Sequence, residues 1–409
     1  MSTPQQSPQF QPPQPQYQPA PQPQPPQYSQ PPQYSQPPRP QSAPQPAPQP
    51  PQYPAPYQPQ GQYPPAQPPA PQPAPAPIPQ IPAYKLARRI MRRAVNRPAG
   101  LALMYALIAQ TLGMACSFAI SFSLGFARGA GATAMSAQDL VAESNRLVME
   151  HMGVISLGSF GVAMLVLVLV DRRRILRRGF WVGSHGEAKR MRASWLVSFV
   201  VVMITAQAAF ALLEALASAA GISVVSPAMQ TINQSAVNWQ MWLFVGLVGP
   251  VFEEIVFRGV LLQSLAPYGR NFAIVTSSLM FALYHGDFAQ GLFAFFVGLL
   301  LGFVGLEYSV MWSIALHVFN NAVLGGALPS LAASYGDAGN TAYGLAILGV
   351  GIVGGIVVFA RHGREIRAYA ALNRSPRGTY WGWTAPCFLI FVGLETMVVL
   401  VSLTLVLAS

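Results

Sequence analysis

A small set of polar side chains interrupts runs that are otherwise almost wholly apolar. The run WQMWLFVGLVGPVFEEIVFRGVLL holds Glu253, Glu254 and Arg258. NFAIVTSSLMFALYHGD holds His285, and SVMWSIALHVFNNAVLGG holds His317, Asn320 and Asn321. A charge at the centre of a bilayer costs about 2.5–3.5 kcal/mol on insertion scales, so such residues face a protein interior and have a task there. Glu254 and Arg258 are four apart on one helix and can neutralise each other. Glu253 lies about 100° around that helix and has no such partner. An unpaired buried carboxylate must protonate or find a donor elsewhere, and the two histidines are the natural donors. His317 and Asn321 are four apart and share a face. At a rise of about 1.5 Å per residue, Glu253, His285, His317 and Asn321 all fall at similar depth, in the middle third of the membrane. A carboxylate and two imidazoles meeting in a dry bundle can activate a water. The Glu takes the proton, while a His and an Asn donate hydrogen bonds to the developing oxyanion. Pro250, just before the acidic pair, removes a backbone hydrogen bond and predicts a kink.

The elements that position these groups are runs of about 20 apolar residues, the length of a membrane span. They lie near 100–123, 154–170, 195–217, 239–262, 271–287, 289–307, 309–327, 341–360 and 386–408. The fold expected is all-α, a polytopic transmembrane bundle of about nine helices. Basic residues gather in three clusters: Lys85 to Arg97, Arg172 to Arg192, and Arg361 to Arg377. With the N-terminus in the cytoplasm, all three fall on the cytoplasmic side, as the positive-inside bias requires. The second and third are read as loops. A multi-pass protein of the cell membrane is therefore expected, with membrane lipids as its surroundings.

Composition agrees. Of 409 residues, 52% are hydrophobic and 9% charged, against about a quarter charged in soluble domains. The net charge of +11 is explained by the flanking clusters, and no recognition motif suggests nucleic acid. Residues 1–84 hold most of the 40 prolines and one charge, Arg39. They cannot bury a core and are read as a disordered Pro/Gln/Tyr-rich cytoplasmic tail. Its PPQY strings, ending at Tyr28, Tyr34 and Tyr53, suit a partner that binds Pro-rich segments. Cys116 and Cys387 have no metal or disulfide spacing. Gly298, Gly302 and the glycines from Gly344 to Gly355 are expected to permit close helix contact. Asn320 is assigned to packing, and Glu395 is expected either to snorkel or to pair within the bundle, with no further role. Asp287 and Glu307, at helix ends, are expected to be solvated.

The motifs resemble a known family. FEEIVFRG is similar to the EExxxR motif of the intramembrane CAAX-protease and bacteriocin-processing (CPBP) proteases. That group contains the Ras-converting endopeptidase and the Abi-type self-immunity proteins. FALYH, ending at His285, resembles the family's FxxxH motif, and HVFNN, from His317 to Asn321, its HxxxN motif. FVGLLLG looks like the glycine-bearing helix between them. The resemblance spans about 239–327, in the family's order. It implies that Glu253 activates water with His285 orienting it, that His317 and Asn321 form an oxyanion site, and that Glu254 and Arg258 support them. Its members have been described both as metalloproteases and as metal-free glutamate proteases. The metal-free mechanism is preferred here, because HExxH spacing is absent. In the alternative, Glu253, His285 and His317 would ligate zinc.

The expected organisation is a tail at 1–84, N-terminal transmembrane helices with a basic loop at 85–230, a catalytic core at 239–327 and C-terminal helices at 328–409. The expected function is endopeptidase cleavage of a membrane-anchored, prenylated-type protein or peptide. The alternatives are a catalytically silent scaffold or self-immunity protein, and a proton-coupled transporter. Transport is disfavoured by the lack of an internal repeat.

Overall fold

Apolar runs too uniform to show a face in the sequence fold as long helices. The computed structural model describes residues 82–129, 136–183, 188–221 and 238–408, among which there is no strand. The tail reading falls on residues 1–81, outside the described residues, and so do the PPQY strings. The helices are α1 (Ala83–Gly129), α2 (Ala137–Val170), the short α3 (Arg172–Ile175) and α4 (Arg178–Val182), and α5 (Ala193–Ala219). Then follow α6 (residues 239–265), α7 (Arg270–Tyr284), α8 (Phe288–Glu307) and α9 (Val310–Ala333). The chain ends with α10 (Gly336–Leu372) and α11 (Pro386–Ala408). Every apolar run expected to form a helix does so. Seven of these helices are long and apolar enough to cross a membrane. The other two long segments carry Glu253, Glu254 and Arg258, and lead to His285. α7 has 15 residues, about 22 Å at a rise of about 1.5 Å, short of a hydrocarbon core of about 30 Å. α6 is broken into alternating α and π turns.

The helices outrun their apolar windows. α1 already includes the first basic cluster, and α10 continues through Arg361, Arg364 and Arg367. The second cluster contains α3 and α4. Basic segments read as loops are thus partly helical, because Lys, Arg, Ala and Leu are strong helix formers whether or not lipid surrounds them. α2 begins inside a polar stretch for a local reason. The Ser136 hydroxyl accepts from the Asp139 amide and caps the helix, and Asp139 suits its positive end.

Helix contacts run through small residues, as they must where lipid competes equally for apolar surface. A Cβ at Gly351 of α10 would lie 2.4 Å from Ala208 Cβ of α5, and one at Gly355 would lie 2.7 Å from Thr205 Oγ1. On α8, Gly298 and Gly302 face Ser278 and Ile274 of α7 at 3.2 and 3.3 Å. Outward faces are apolar instead. Phe118, Phe122 and Phe126 of α1, Leu165 and Leu169 of α2, and Val353 and Ile356 of α10 are all exposed. A soluble protein rarely shows so much apolar surface, whereas helices in lipid require it.

The three basic clusters meet at one end of the bundle. Arg97 of the first pairs with Asp171, which begins the second, at 3.2 Å. Lys189 pairs with Glu307 at 2.8 Å, and Tyr369, in the third, donates to the same carboxylate at 2.9 Å. Arg270 also pairs with Glu307. Glu307 is therefore buried beneath three partners and not solvated. Asp287 is buried too, accepting from the Gln290 amide as the cap of α8. Of the two readings of Glu395 the structure shows pairing, with the carboxylate accepting from Gln110 Nε2 at 3.1 Å.

Candidate active site

The acidic pair sits in a short α turn, Gly249–Glu254, between two π-helical segments, Phe244–Val248 and Ile255–Leu262. Pro250 offers no N–H and crowds the carbonyl four residues earlier, and the wide turn ahead of it accommodates both effects. A third π segment, Phe319–Ala327, follows His317. Such turns are rare and gather at functional sites.

The two glutamates occupy different environments. The Glu254 side chain is fully buried and both of its oxygens have partners. Oε1 lies 3.1 Å from Arg258 Nη1 and accepts from His317 Nδ1 at 2.9 Å. Oε2 accepts from the Ser313 hydroxyl at 2.5 Å. The Glu253 side chain keeps 18% of its surface, and its Oε2 lies 3.7 Å from His317 Nε2. Of the two acids, only Glu253 is open to a substrate or a water. His317 stands between them and is positioned by Glu254, as a carboxylate positions the imidazole in a catalytic triad. Glu254 and Arg258 thus do more than neutralise each other. Nδ1 of His317 donates to Glu254, so Nε2 is the ring nitrogen turned toward Glu253.

Phe281 organises the remainder. The Arg258 guanidinium lies over its ring, 4.0 Å from the centroid, and the rings of His285 and His317 stand edge-on to it at 4.7 and 5.6 Å. Its carbonyl accepts from His285 Nδ1 at 2.8 Å. That bond leaves His285 Nε2 as an acceptor, and the ring interacts electrostatically with Glu253. Asn321 is held differently. Its Nδ2 donates to the Val245 carbonyl of α6 at 3.2 Å, and its Oδ1 accepts from Asn320. Asn320, assigned to packing, is a buried link whose Oδ1 accepts from Gln207 of α5. One Nδ2 hydrogen of Asn321 remains uncommitted, and no hydrogen bond joins this side chain to Glu253 or His317 among the described residues.

Sequence reasoning did not single out Ser313 or Phe281 for these tasks. A signal existed for Ser313, which lies four residues before His317 on the same helical face as His317 and Asn321. Among the described residues, no group of three or more His, Cys, Asp or Glu side chains is placed to hold a metal ion. Glu253, His285 and His317 do not form one, and both Nδ1 atoms are committed elsewhere.

Residues 235–323 match the family model described as Type II CAAX prenyl endopeptidase Rce1-like. No curated protein and no solved structure matches the chain. The matched stretch contains α6 to the middle of α9 and every residue of the Glu253–His317 network. Residues 235–323 are therefore similar to a type II CAAX prenyl endopeptidase domain, and this chain carries them among helices of membrane length.

Proposed function

We propose that the chain is an intramembrane endopeptidase that hydrolyses a peptide bond of a membrane-anchored, prenylated-type substrate with a water activated by Glu253. The observation that carries this reading is the inequality of the two acids: Glu254 is saturated, while Glu253 is partly open and faces His317. Glu253 takes a proton from the water while His285 Nε2 accepts the other O–H and orients it. The oxygen attacks the scissile carbonyl. His317 Nε2 and the uncommitted N–H of Asn321 stabilise the resulting oxyanion. Glu253 then returns the proton to the departing amine. Glu254 and Ser313 hold His317 in place, and no step runs through a metal. The basic end of the bundle is assigned to the cytoplasm, against anionic lipid headgroups.

The test uses purified full chain in liposomes with a farnesylated reporter peptide ending in a CAAX sequence. Glu253→Gln is expected to lower cleavage by at least about 100-fold, the scale of a lost general base, at unchanged protein abundance. Chelators are expected to leave the wild-type rate unchanged. Loss of activity on chelation, restored by zinc, would establish the metal mechanism instead.

A further inference from the structure

The first turns of α1 hold a group of charges that the glutamate site does not use. Lys85, Arg88, Arg89, Arg92, Arg93 and Arg97 recur every three or four residues and so share one face of the helix. They line a groove of about 660 Å³, within the range of small-ligand sites, about 300–1,000 Å³. Pro386, at the start of α11, lines it from the other side. The Arg88 guanidinium lies over the Trp381 ring, 5.0 Å from its centroid, and Asn96 accepts from the Cys387 amide at 3.0 Å. The two walls are thereby held together. Arg97 pairs with Asp171. Lys85, Arg89, Arg92 and Arg93 have no acidic partner among the described residues, and residues 1–81 contain no Asp or Glu that could supply one. The Nε of Arg92 is in addition shut off from the surface without an acceptor.

Like charges at this spacing destabilise a helix, and a buried donor without an acceptor is uncommon and costly. A topology signal explains neither. It needs only a number of positive residues beside a span, not a shared groove. An anion seated in the groove relieves both. Guanidinium groups meet phosphate oxygens through parallel pairs of hydrogen bonds. Leu86 and Ile90, four apart, flank the basic face and are exposed, and Tyr84, which lines the groove, is exposed too. Aliphatic and aromatic side chains beside cations suit the boundary of a bilayer and not a site for a free ion. We infer that the groove binds the phosphate headgroup of one anionic phospholipid from the leaflet around α1. The site lies outside residues 235–323 and does not depend on cleavage. It narrows the general attraction of the basic end for anionic lipid to one place and one bound molecule.

The experiment is native mass spectrometry of the purified full chain, released from detergent micelles that contain phosphatidylglycerol or phosphatidylcholine. The wild type is expected to retain one phosphatidylglycerol at least about tenfold more tightly than phosphatidylcholine, the scale of one hydrogen bond to a charged group. The triple variant Arg89→Gln, Arg92→Gln, Arg93→Gln should lose that preference. The triple variant Arg361→Gln, Arg364→Gln, Arg367→Gln removes the same charge from α10, outside the groove, and should keep it. Equal loss in both variants would mean diffuse attraction to the surface and overturn the site, as would no loss in either. Thermal unfolding checks that the variants fold. If the glutamine variant in α1 does not, Arg89→Lys, Arg92→Lys, Arg93→Lys keeps the charge and should still bind more weakly than wild type, because the paired hydrogen bonds are gone. A lysine variant equal to wild type would overturn headgroup recognition. Inorganic phosphate in large excess should not displace the lipid. Displacement would identify a site for soluble phosphate and overturn the lipid assignment. A chain that cleaves no reporter sinks the proposed function and leaves this measurement untouched.

Discussion

Two adjacent glutamates, one residue apart on a helix, are given opposite tasks by their surroundings. Glu254 is fully enclosed and bound by Arg258, His317 and Ser313. Removing its charge strands a buried guanidinium. Breaking a buried ion pair from one side costs about 3–5 kcal/mol. Glu254→Gln is therefore expected to lower the thermal unfolding midpoint in detergent strongly, whereas Glu253→Gln, which leaves the buried Glu254–Arg258 pair intact, should leave it within error of wild type. Equal midpoints for the two variants would contradict the division of labour. That division was legible in part. The four-residue spacing of Glu254 and Arg258 marks them as a pair and leaves Glu253 over. The bonds from His317 Nδ1 and from Ser313 were not legible, since no rule of spacing says which partner a side chain on another helix will find.

At the scale of elements, the site depends on how closely α6 is approached from the side of the basic clusters. Arg174 of α3 donates to the Gly259 carbonyl at 2.9 Å, inside the second π segment of α6. Phe180 of α4 lies against Gly259 itself, where an added Cβ would come within 2.1 Å of the ring. Phe180 is buried and cannot swing aside freely. Gly259→Ala is expected to cost about 1–3 kcal/mol as overpacking and to reduce cleavage by displacing the turn next to Arg258. Adding Phe180→Ala should recover part of the lost thermal stability; no recovery would mean that the glycine serves another purpose. The helices themselves could be read from apolar runs, and Pro250 announced an irregularity. The π turns could not be read. A helix that is apolar on every side shows no periodicity from which a change of pitch would stand out.

At the scale of the molecule, ion pairs gather the three basic clusters at one end. Arg97–Asp171 joins the first to the second, and Glu307 joins the second to the third through Lys189 and Tyr369. Single cysteines placed at Arg173 and at Ser375, in a chain lacking Cys116 and Cys387, should therefore label from the same face of sealed vesicles with a membrane-impermeant reagent. Labelling from opposite faces would overturn the arrangement. Placing that face in the cytoplasm predicts in addition that a protease added to inside-out vesicles trims residues 1–81.

The sequence by itself determined that the chain is a set of apolar helices with polar groups in three of them, because hydrocarbon admits neither open strands nor idle charge. It also determined the positions of the basic clusters and the order of the three motifs. Only the tertiary structure decided that Glu254 positions His317, that Phe281 gathers a guanidinium and two imidazoles, and that α1 sets Tyr105 against Tyr284. It alone buried Asp287 and Glu307, which look solvated from their places at helix ends. The physical reason is the same in each case. Composition and spacing set what a helix must bury, but the partner of a buried polar group is chosen by helices distant in the chain, through contacts that no single segment encodes.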